Sequence, residues 1–343
     1  MWQPRFFKLT EEVKPEIVDL LTEVTLGTTG VRYKHLDTAK RVHQVDEPLF
    51  YYLQRREKVL ANITFCRRAE DWYIRYFAFR TALQRSTDTK SEDHSNSLLK
   101  KEIESFFQAG LNGEIDHQNI QRFYAYIDPK NDRSLWMSKN FGFNTIAELS
   151  TQTFSRVFPK RSKRFEWSEP TIELQERIKS TFGNHSFFFE AYLPKDKMAL
   201  IKDDKGEILA FCRVSMAHWR IDSLGGKLGE FQAKVLPYIP IINRLVNPKL
   251  HTFVVPDSVW VKDGNPQILT ELYESLIKET KANMLIWWAD NEEPLYKTVK
   301  NKVNWGPMNS IMGVSPVNVV ARQKEGEVPK LTQPMYVVAI DAI

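Results

Sequence analysis

The sequence predicts an α/β (α+β) protein built from two tandem units, each a mixed, mostly antiparallel sheet flanked by helices. Three observations predict this. One order of elements (helices, a strand hairpin, a further strand, a loop opening a long helix, a strand, a short helix, a final strand) runs through residues 1–158 and again through 170–343. Local sequence echoes that order: Phe65-Cys66-Arg67 and Phe211-Cys212-Arg213 lie 146 residues apart, and Asn131 and Asn291, each just past an aromatic-rich strand, lie 160 apart, the difference being absorbed by an inserted segment at 223–256. The length, 343 residues of which 42% are hydrophobic, exceeds what a single core usually serves.

In the first unit, LTEEVKPEIVDLLTEVTLG (9–27) spaces Val13, Ile17, Leu20, Leu21 and Val24 as one helical face closed by Gly27, and a second helix follows. From Pro48 the pattern turns β-rich: LFYYLQR (49–55), KVLANITFCRR (58–68) and DWYIRYFAF (71–79) are separated by short charged turns and read as an antiparallel meander. The polar stretch 85–97 reads as a loop leading into SLLKKEIESFFQAGL (97–111), whose Leu98, Leu99, Ile103, Phe106 and Phe107 share a face. A strand at 122–128, a helix from Asp132 to about Asn140 and a strand from Phe143 complete the unit. The basic run PKRSKR (159–164) opens a linker spanning 159–169. The second unit repeats the series with a helix at 171–183, strands at 197–204, 205–216 and 257–264, a helix at 265–279, a strand at 282–290, a helix at 293–303 and a strand at 315–321.

Composition excludes several classes. Two cysteines form no disulfide framework, and the opening MWQPRFFKLTEE is no secretion leader, so a reducing cytoplasmic compartment is expected. No apolar run reaches the roughly 20 residues of a membrane-spanning helix. The net charge of +5 favours anionic partners without naming one. Seven scattered histidines and no C-x-x-C give no sequence-evident metal site, and there is no nucleophile elbow and no phosphate loop of the Walker type. Basic residues near aromatics, as in RFFK (5–8), are too sparse for a nucleic-acid module. Cys66 and Cys212 fall inside strands, as inert buried thiols do.

NDRSLWMSKNFGF (131–143) resembles the segment N-x-x-A-x-x-x-Y-x-x-x-G-F of the acyl-CoA-dependent GNAT acyltransferases. Asn131 stands at the Asn, Ser134 at the small residue, and Gly142-Phe143 at the terminal pair. The element order of nearly the whole chain is also similar to that family, in a tandem form. The resemblance implies an N-acyltransferase using acetyl-CoA or another acyl-CoA as cosubstrate, no metal, and a small-molecule or peptide amine as acceptor. The family's Q/R-x-x-G-x-G/A loop, whose close-packed N–H groups cradle the CoA pyrophosphate, is degenerate here. Aligned from the strand side, Gln84 or Arg85 takes the basic position. Aligned from the helix side, Lys90 does, and Ser91, Asp93 and Ser95 replace the glycines, with Asn96 and Ser97 leading into the helix. The second unit offers only Lys262, Gly264 and Pro266 at the corresponding place, so the first unit is expected to hold the cofactor.

Acyl transfer to an amine requires a neutral amine, a polarised thioester carbonyl and a proton for the departing thiolate. By resemblance, backbone N–H groups of the fourth strand, YIRYFAF (73–79) with Phe77 and Phe79, polarise the carbonyl. The family's acid, a tyrosine seven residues after the motif asparagine, is Ser138 here. That leaves Tyr124 or Tyr126 on the preceding strand, water, or an inactive unit. Two rival functions stand beside the acyl-CoA reading: a catalytically inactive binding protein, with the cleft plugged by Phe77 or Phe79, and an aminoacyl-tRNA-dependent transferase. The insertion, rich in apolar residues, reads as a lid, as a homodimer contact, or as a segment packing on its own domain. Trp287-Trp288 should place one ring on each face of a strand, one in the core and one lining a cleft.

Overall fold

The computed structural model describes residues 2–27, 30–80, 98–115 and 119–342. The first half contributes β1 (Lys8–Thr10), α1 (Pro15–Glu23), β2 (Arg32–His35), α2 (Thr38–Val42), β3 (Pro48–Arg55), β4 (Lys58–Arg68), β5 (Asp71–Phe79), α3 (Leu98–Leu111), β6 (Arg122–Ile127), α4 (Asp132–Asn140) and β7 (Asn144–Phe154). The second half contributes β8 (Phe165–Ser168), α5 (Ile172–Phe182), β9 (Met198–Lys202), β10 (Ile208–Ser223), α6 (Gly229–Val235), α7 (Pro240–Leu245), β11 (His251–Val261), α8 (Pro266–Thr280), β12 (Met284–Asp290), α9 (Pro294–Val299), α10 (Pro307–Met312) and β13 (Ser315–Gln323).

The sheets of the two halves are joined. The 13 strands form one sheet in the order β1-β3-β4-β5-β6-β13-β7-β12-β11-β10-β9-β8, with β2 added beside β10. The last strand of each half lies next to the penultimate strand of the other: β13 pairs antiparallel with β6 and β7, and β7 pairs antiparallel with β13 and β12. Val317, Val319, Val320 and Ala321 are buried in this exchange, which explains the near-continuous apolar run of β13. The hairpins β3-β4-β5 and β9-β10-β11 flank it on either side. On one face α3 buries Ile103, Phe106 and Phe107 against Phe65, Trp72 and Phe123, and in the second half α8 buries Leu269, Leu272, Tyr273 and Leu276.

Several elements depart from the sequence expectation, and β8 lies within the stretch 159–169 read as a linker, where it pairs with β9. Helix α1 stops at Glu23 and not at Gly27, because residues 24–27 turn back: Leu26 and Tyr33 exchange both backbone hydrogen bonds at 2.8 and 3.0 Å, and Gly27 takes the φ of +80° that this reversal needs. β11 begins at His251, inside the segment read as an insertion, and pairs with β10 as far as Trp219, so only residues 224–250 loop out. Beyond β13 the chain lays Val328, Met335, Tyr336, Val337 and Val338 over the sheet and ends its described part in a short 3-10 turn, Ala339–Ala342. No helix among the described residues is long and apolar enough to cross a membrane.

His251 is 1% exposed, and burial lowers its imidazole pKa to about 4, against a hydrogen bond donated to Asn283 that raises it. The folded state then binds the proton less readily than the unfolded state, so His251 costs stability as pH falls from the ordinary 6.5 towards 4 and costs nothing above it. Urea denaturation at neutral pH and near pH 4.5 should show a steeper acid loss for the native chain than for His251→Gln. Equal losses would remove His251 as the cause.

Candidate active site

The site begins where the central parallel strands part. β5 and β6 pair only through Asp71↔Arg122, Trp72↔Phe123 and Tyr73↔Tyr124, although β5 runs on to Phe79 and β6 to Ile127. At the same level the register of β5 against β4 shifts: Phe65 faces Ile74 and Thr64 faces Tyr76, so Arg75 is the extra residue of a β-bulge. A bulge bends its strand and breaks the ladder locally, which turns β5 away from β6 and opens a wedge between them. The second half repeats the device. β11 and β12 pair at only two positions, and the register against β10 shifts between Phe211↔Trp260 and Arg213↔Asp257, at a bulge where Ser258 has a φ of +50°.

The second wedge is filled. Tyr336 enters it, its hydroxyl 2.6 Å from Ser258 Oγ; the Met335 amide donates to Asp290 Oδ2 at 2.8 Å and the Ala339 amide to Asp257 Oδ2 at 2.6 Å. The remaining cavity, between Asp257, Trp288, Asp290 and Tyr336, is about 30 Å³, room for a water molecule but not for a thioester arm. The helix that would face a pyrophosphate is also self-satisfied: Asn265 Oδ1 accepts from the Gln267 and Ile268 amides at the start of α8.

In the first wedge, Tyr73, Tyr124 and Tyr126 share one face of the sheet. Tyr73 and Tyr126 are 5.1 Å apart between ring centres, and Tyr126 meets Trp288 of β12 at 5.4 Å. Trp287, on the opposite face, lies in the core with Tyr273 and Tyr296, so the paired tryptophans divide as their alternation demands. Below the tyrosines lies a buried ion pair. Arg68 Nη1 and Nη2 donate to Asp341 at 2.5 and 2.7 Å, Arg68 Nη1 also donates to Tyr124 Oη at 2.8 Å, the Tyr73 hydroxyl donates to the Asp341 carbonyl at 3.2 Å, and Arg75 Nη1 is 3.4 Å from the Asp341 carboxylate. Burial drives the Tyr73, Tyr124 and Tyr126 phenols above their ordinary pKa, so all three are protonated at neutral pH.

β2 pairs with β10 and lies near enough to this wedge for charges on both of its arms to act on it. Tyr33 is half-buried, its phenol pushed up to about 12 by desolvation and by the carboxylate of Asp128, which follows β6. His35 is held down to about 4, first by burial and further by the Arg41 and Arg75 guanidinium groups, against the opposing charge of Asp37. One strand thus feels both arms of the wedge, β6 through Asp128 and β5 through Arg75. Tyr33 stacks on Trp219 of β10 at 3.9 Å, walling the far side. Here polar atoms gather. Asp37 Oδ2 accepts from Arg41 at 2.7 Å and lies 3.4 Å from His218 Nδ1, while His35 Nδ1, Asp37 Oδ1, Arg41 Nε and Trp219 Nε1 are buried without hydrogen-bond partners among the described residues. Burial opposes ionisation of Asp37, but the Arg41 hydrogen bond and charge outweigh it and hold its pKa below the usual carboxylate value. Buried donors and acceptors left open in one place are what a polar ligand or water would satisfy.

The expected site residues divide into three groups. Gln84, Arg85, Lys90, Ser95, Asn96 and Ser97 lie outside the described residues. Tyr124 and Tyr126 line the wedge, and Phe77 and Phe79 sit on its β5 arm, 5.1 Å apart and turned to the helix side, where Phe77 meets Phe141. Asn131 and Ser138 hold α4 together: Asn131 Oδ1 accepts from the Ser134 amide at 3.1 Å, and Ser138 Oγ donates to the Leu135 carbonyl at 2.9 Å. Gly142, at a φ of +73°, turns the chain from α4 towards β7. Tyr73, Arg75, His35, Asp37, Arg41 and Asp341 were not singled out from the sequence. Nothing local marks them, since they meet only through the bulge, the approach of β2 and the return of the C-terminal segment. Both cysteines are buried and free, and burial pushes the Cys66 thiol up to about 12, which makes it unreactive.

No family model matches the chain, and no curated protein does either. Solved structures do. A Saccharomyces cerevisiae N-myristoyltransferase with bound myristoyl-CoA aligns over 98% of this chain and 89% of its own, at 11% identity and a TM-score of 0.54. A tandem GNAT protein from the clavulanic acid biosynthesis pathway aligns over 93% of this chain and 99% of its own, at 7% identity and a TM-score of 0.53. A GCN5-related N-acetyltransferase from Sphaerobacter thermophilus aligns over 96% and 99%, at 11% identity and a TM-score of 0.50. With the doubled bulge, the doubled wedge and the repeated element order, these likenesses make the fold of this chain a tandem GNAT-like one.

Proposed function

We propose that the chain is an acyl-CoA-dependent N-acyltransferase whose first half holds the cosubstrate. The observation that carries the reading is the wedge between β5 and β6 behind the bulge at Arg75, left by a fold whose second wedge is closed by Tyr336. The structural neighbours described as acyltransferases support the reaction class. In this reading the acyl-CoA supplies the thioester carbonyl that the amine attacks, the carbon–sulfur bond breaking as the carbon–nitrogen bond forms. The chain's own groups do the rest. Backbone N–H groups of β5 freed by the bulge face the carbonyl oxygen; the Tyr126 phenol gives its proton to the departing sulfur and is restored by the proton that the attacking nitrogen loses; Arg85 and Lys90, in the sequence before α3, meet the pyrophosphate. The acceptor enters from the β2 side, where Asp37 and the neutral His35 offer hydrogen-bond acceptors to an amine, and the aromatic walls of Tyr33, Trp219 and Trp288 keep it poorly solvated, which favours the neutral, reactive form.

The test is thermal unfolding with CoA, acetyl-CoA and a long-chain acyl-CoA. At ligand levels near 100 times the dissociation constant, binding to the native state adds about 2.7 kcal/mol and raises the midpoint by a few degrees. We expect a shift that Arg85→Ala with Lys90→Ala abolishes and that Lys262→Ala, in the second half, leaves intact. No shift with any of the three ligands would overturn the reading.

A further inference from the structure

Among the described residues, most of the large apolar side chains that reach solvent belong to two stretches of the chain. Leu228 (65% exposed), Phe231 (64%), Tyr238 (74%) and Ile241 (60%) project from the 224–250 insertion, and Ile311 (75%), Met312 and Val314 project from the end of α10. The two stretches belong to one face. Leu245 and Val246 of the insertion and Met308 of α10 pack in a single small core with Val157, and the next residue, exposed Phe158, carries the Arg244 guanidinium 4.8 Å above its ring. Contiguous exposed apolar surface of this kind marks an interaction site.

The charge on the same stretches is mostly of one sign. No acidic residue occurs between Glu230 and Asp257 or between Glu293 and Glu325, whereas Lys234, Arg244 and Lys249 fall in the first interval and Lys297, Lys300 and Lys302 in the second. Glu230 itself is paired with Arg32 and Lys297 with Glu292, which leaves Lys234, Arg244, Lys249, Lys300 and Lys302 as the excess. Lys249 lies 5.1 Å over the Tyr238 ring, an aromatic and a cation side by side on the exposed edge. α6 and α7 are seven and six residues long and are separated by Pro237 and Pro240, so the segment can lie along an interface but not cross one. A second copy of the chain is a poor occupant, because self-complementary pairing of this face would set Lys234, Arg244 and Lys249 against their own like charges. Apolar side chains accompanied by an excess of cations instead complement phosphate headgroups above acyl chains.

We propose that this face docks the protein on an anionic lipid surface, with the insertion and the tip of α10 at headgroup depth. The proposal does not depend on the acyltransferase reading. Co-sedimentation with phosphatidylcholine vesicles, with and without phosphatidylglycerol, tests it. Binding should require phosphatidylglycerol and weaken about tenfold when salt rises from about 0.1 M to 0.5 M. Phe231→Asp with Ile241→Asp should lower it at least about tenfold, and Lys234→Glu with Lys249→Glu similarly, with thermal unfolding unchanged because these side chains face solvent. Failure of the native chain to bind the anionic vesicles, or equal binding by the Asp variant, would overturn the proposal. A dimer by light scattering that the Asp variant dissociates, without vesicle binding, would overturn it in favour of self-association.

Discussion

Asp341→Ala is expected to destabilise the fold by about 3–5 kcal/mol, the usual cost of deleting one partner of a buried ion pair. The Asp341 side chain is 0% exposed and that of Arg68 3% exposed, so the deletion strands one guanidinium in the interior with a second, Arg75, beside it. The pair also ties the C-terminal segment to the floor of the first wedge, through the Tyr73 hydroxyl and the Asp341 carbonyl. Chemical denaturation measures the loss. Replacing both charges at once, Arg68→Met with Asp341→Leu, should recover most of it, since a buried pair exchanged for apolar groups of similar size is often neutral. A change below about 0.5 kcal/mol in Asp341→Ala would mean the pair contributes no more than an exposed one.

On the acyltransferase reading proposed above, Tyr126→Phe is expected to lower kcat about 100-fold with little change in the KM for acyl-CoA, the range seen when a general acid is removed. Tyr124→Phe should instead cost stability, because the Tyr124 oxygen accepts from Arg68 at 2.8 Å and is committed to the ion pair. The two substitutions therefore separate the tyrosines by kind of effect. The burial that raises the Tyr126 pKa keeps it a donor throughout the neutral range, so the activity of the native enzyme should show no loss of acid near pH 8 that could be traced to this phenol. Single-turnover rates for both variants decide the matter. An unchanged kcat in Tyr126→Phe would leave the thiolate to water.

Most elements of the fold were legible because their signals are local. The alternation in KVLANITFCRR, the helical face of Ile103, Phe106 and Phe107, and the capping of α4 by Asn131 each depend on residues close in sequence. The short strands were not legible: β1, β2 and β8 are three or four residues long and gain their conformation from the strands they join. At the site, Tyr124 and Tyr126 could be marked because both lie on one predicted strand. Arg75 could not, since a bulge is a mismatch between two strands and neither strand shows it alone.

The amino-acid sequence alone determined the repeated order of helices and strands, the burial of both cysteines and the position of the α4 turn at Gly142. These follow from periodicity, side-chain volume and backbone permissiveness within one segment. Only the tertiary structure decided that the two halves share a sheet by exchanging β7 and β13, that Tyr336 closes the second wedge, and that β2 and Asp341 converge on the first. Those contacts join residues as far apart as 68 and 341. Their pairing energy depends on register, burial and charge balance across the assembled sheet, quantities that no single stretch of sequence contains.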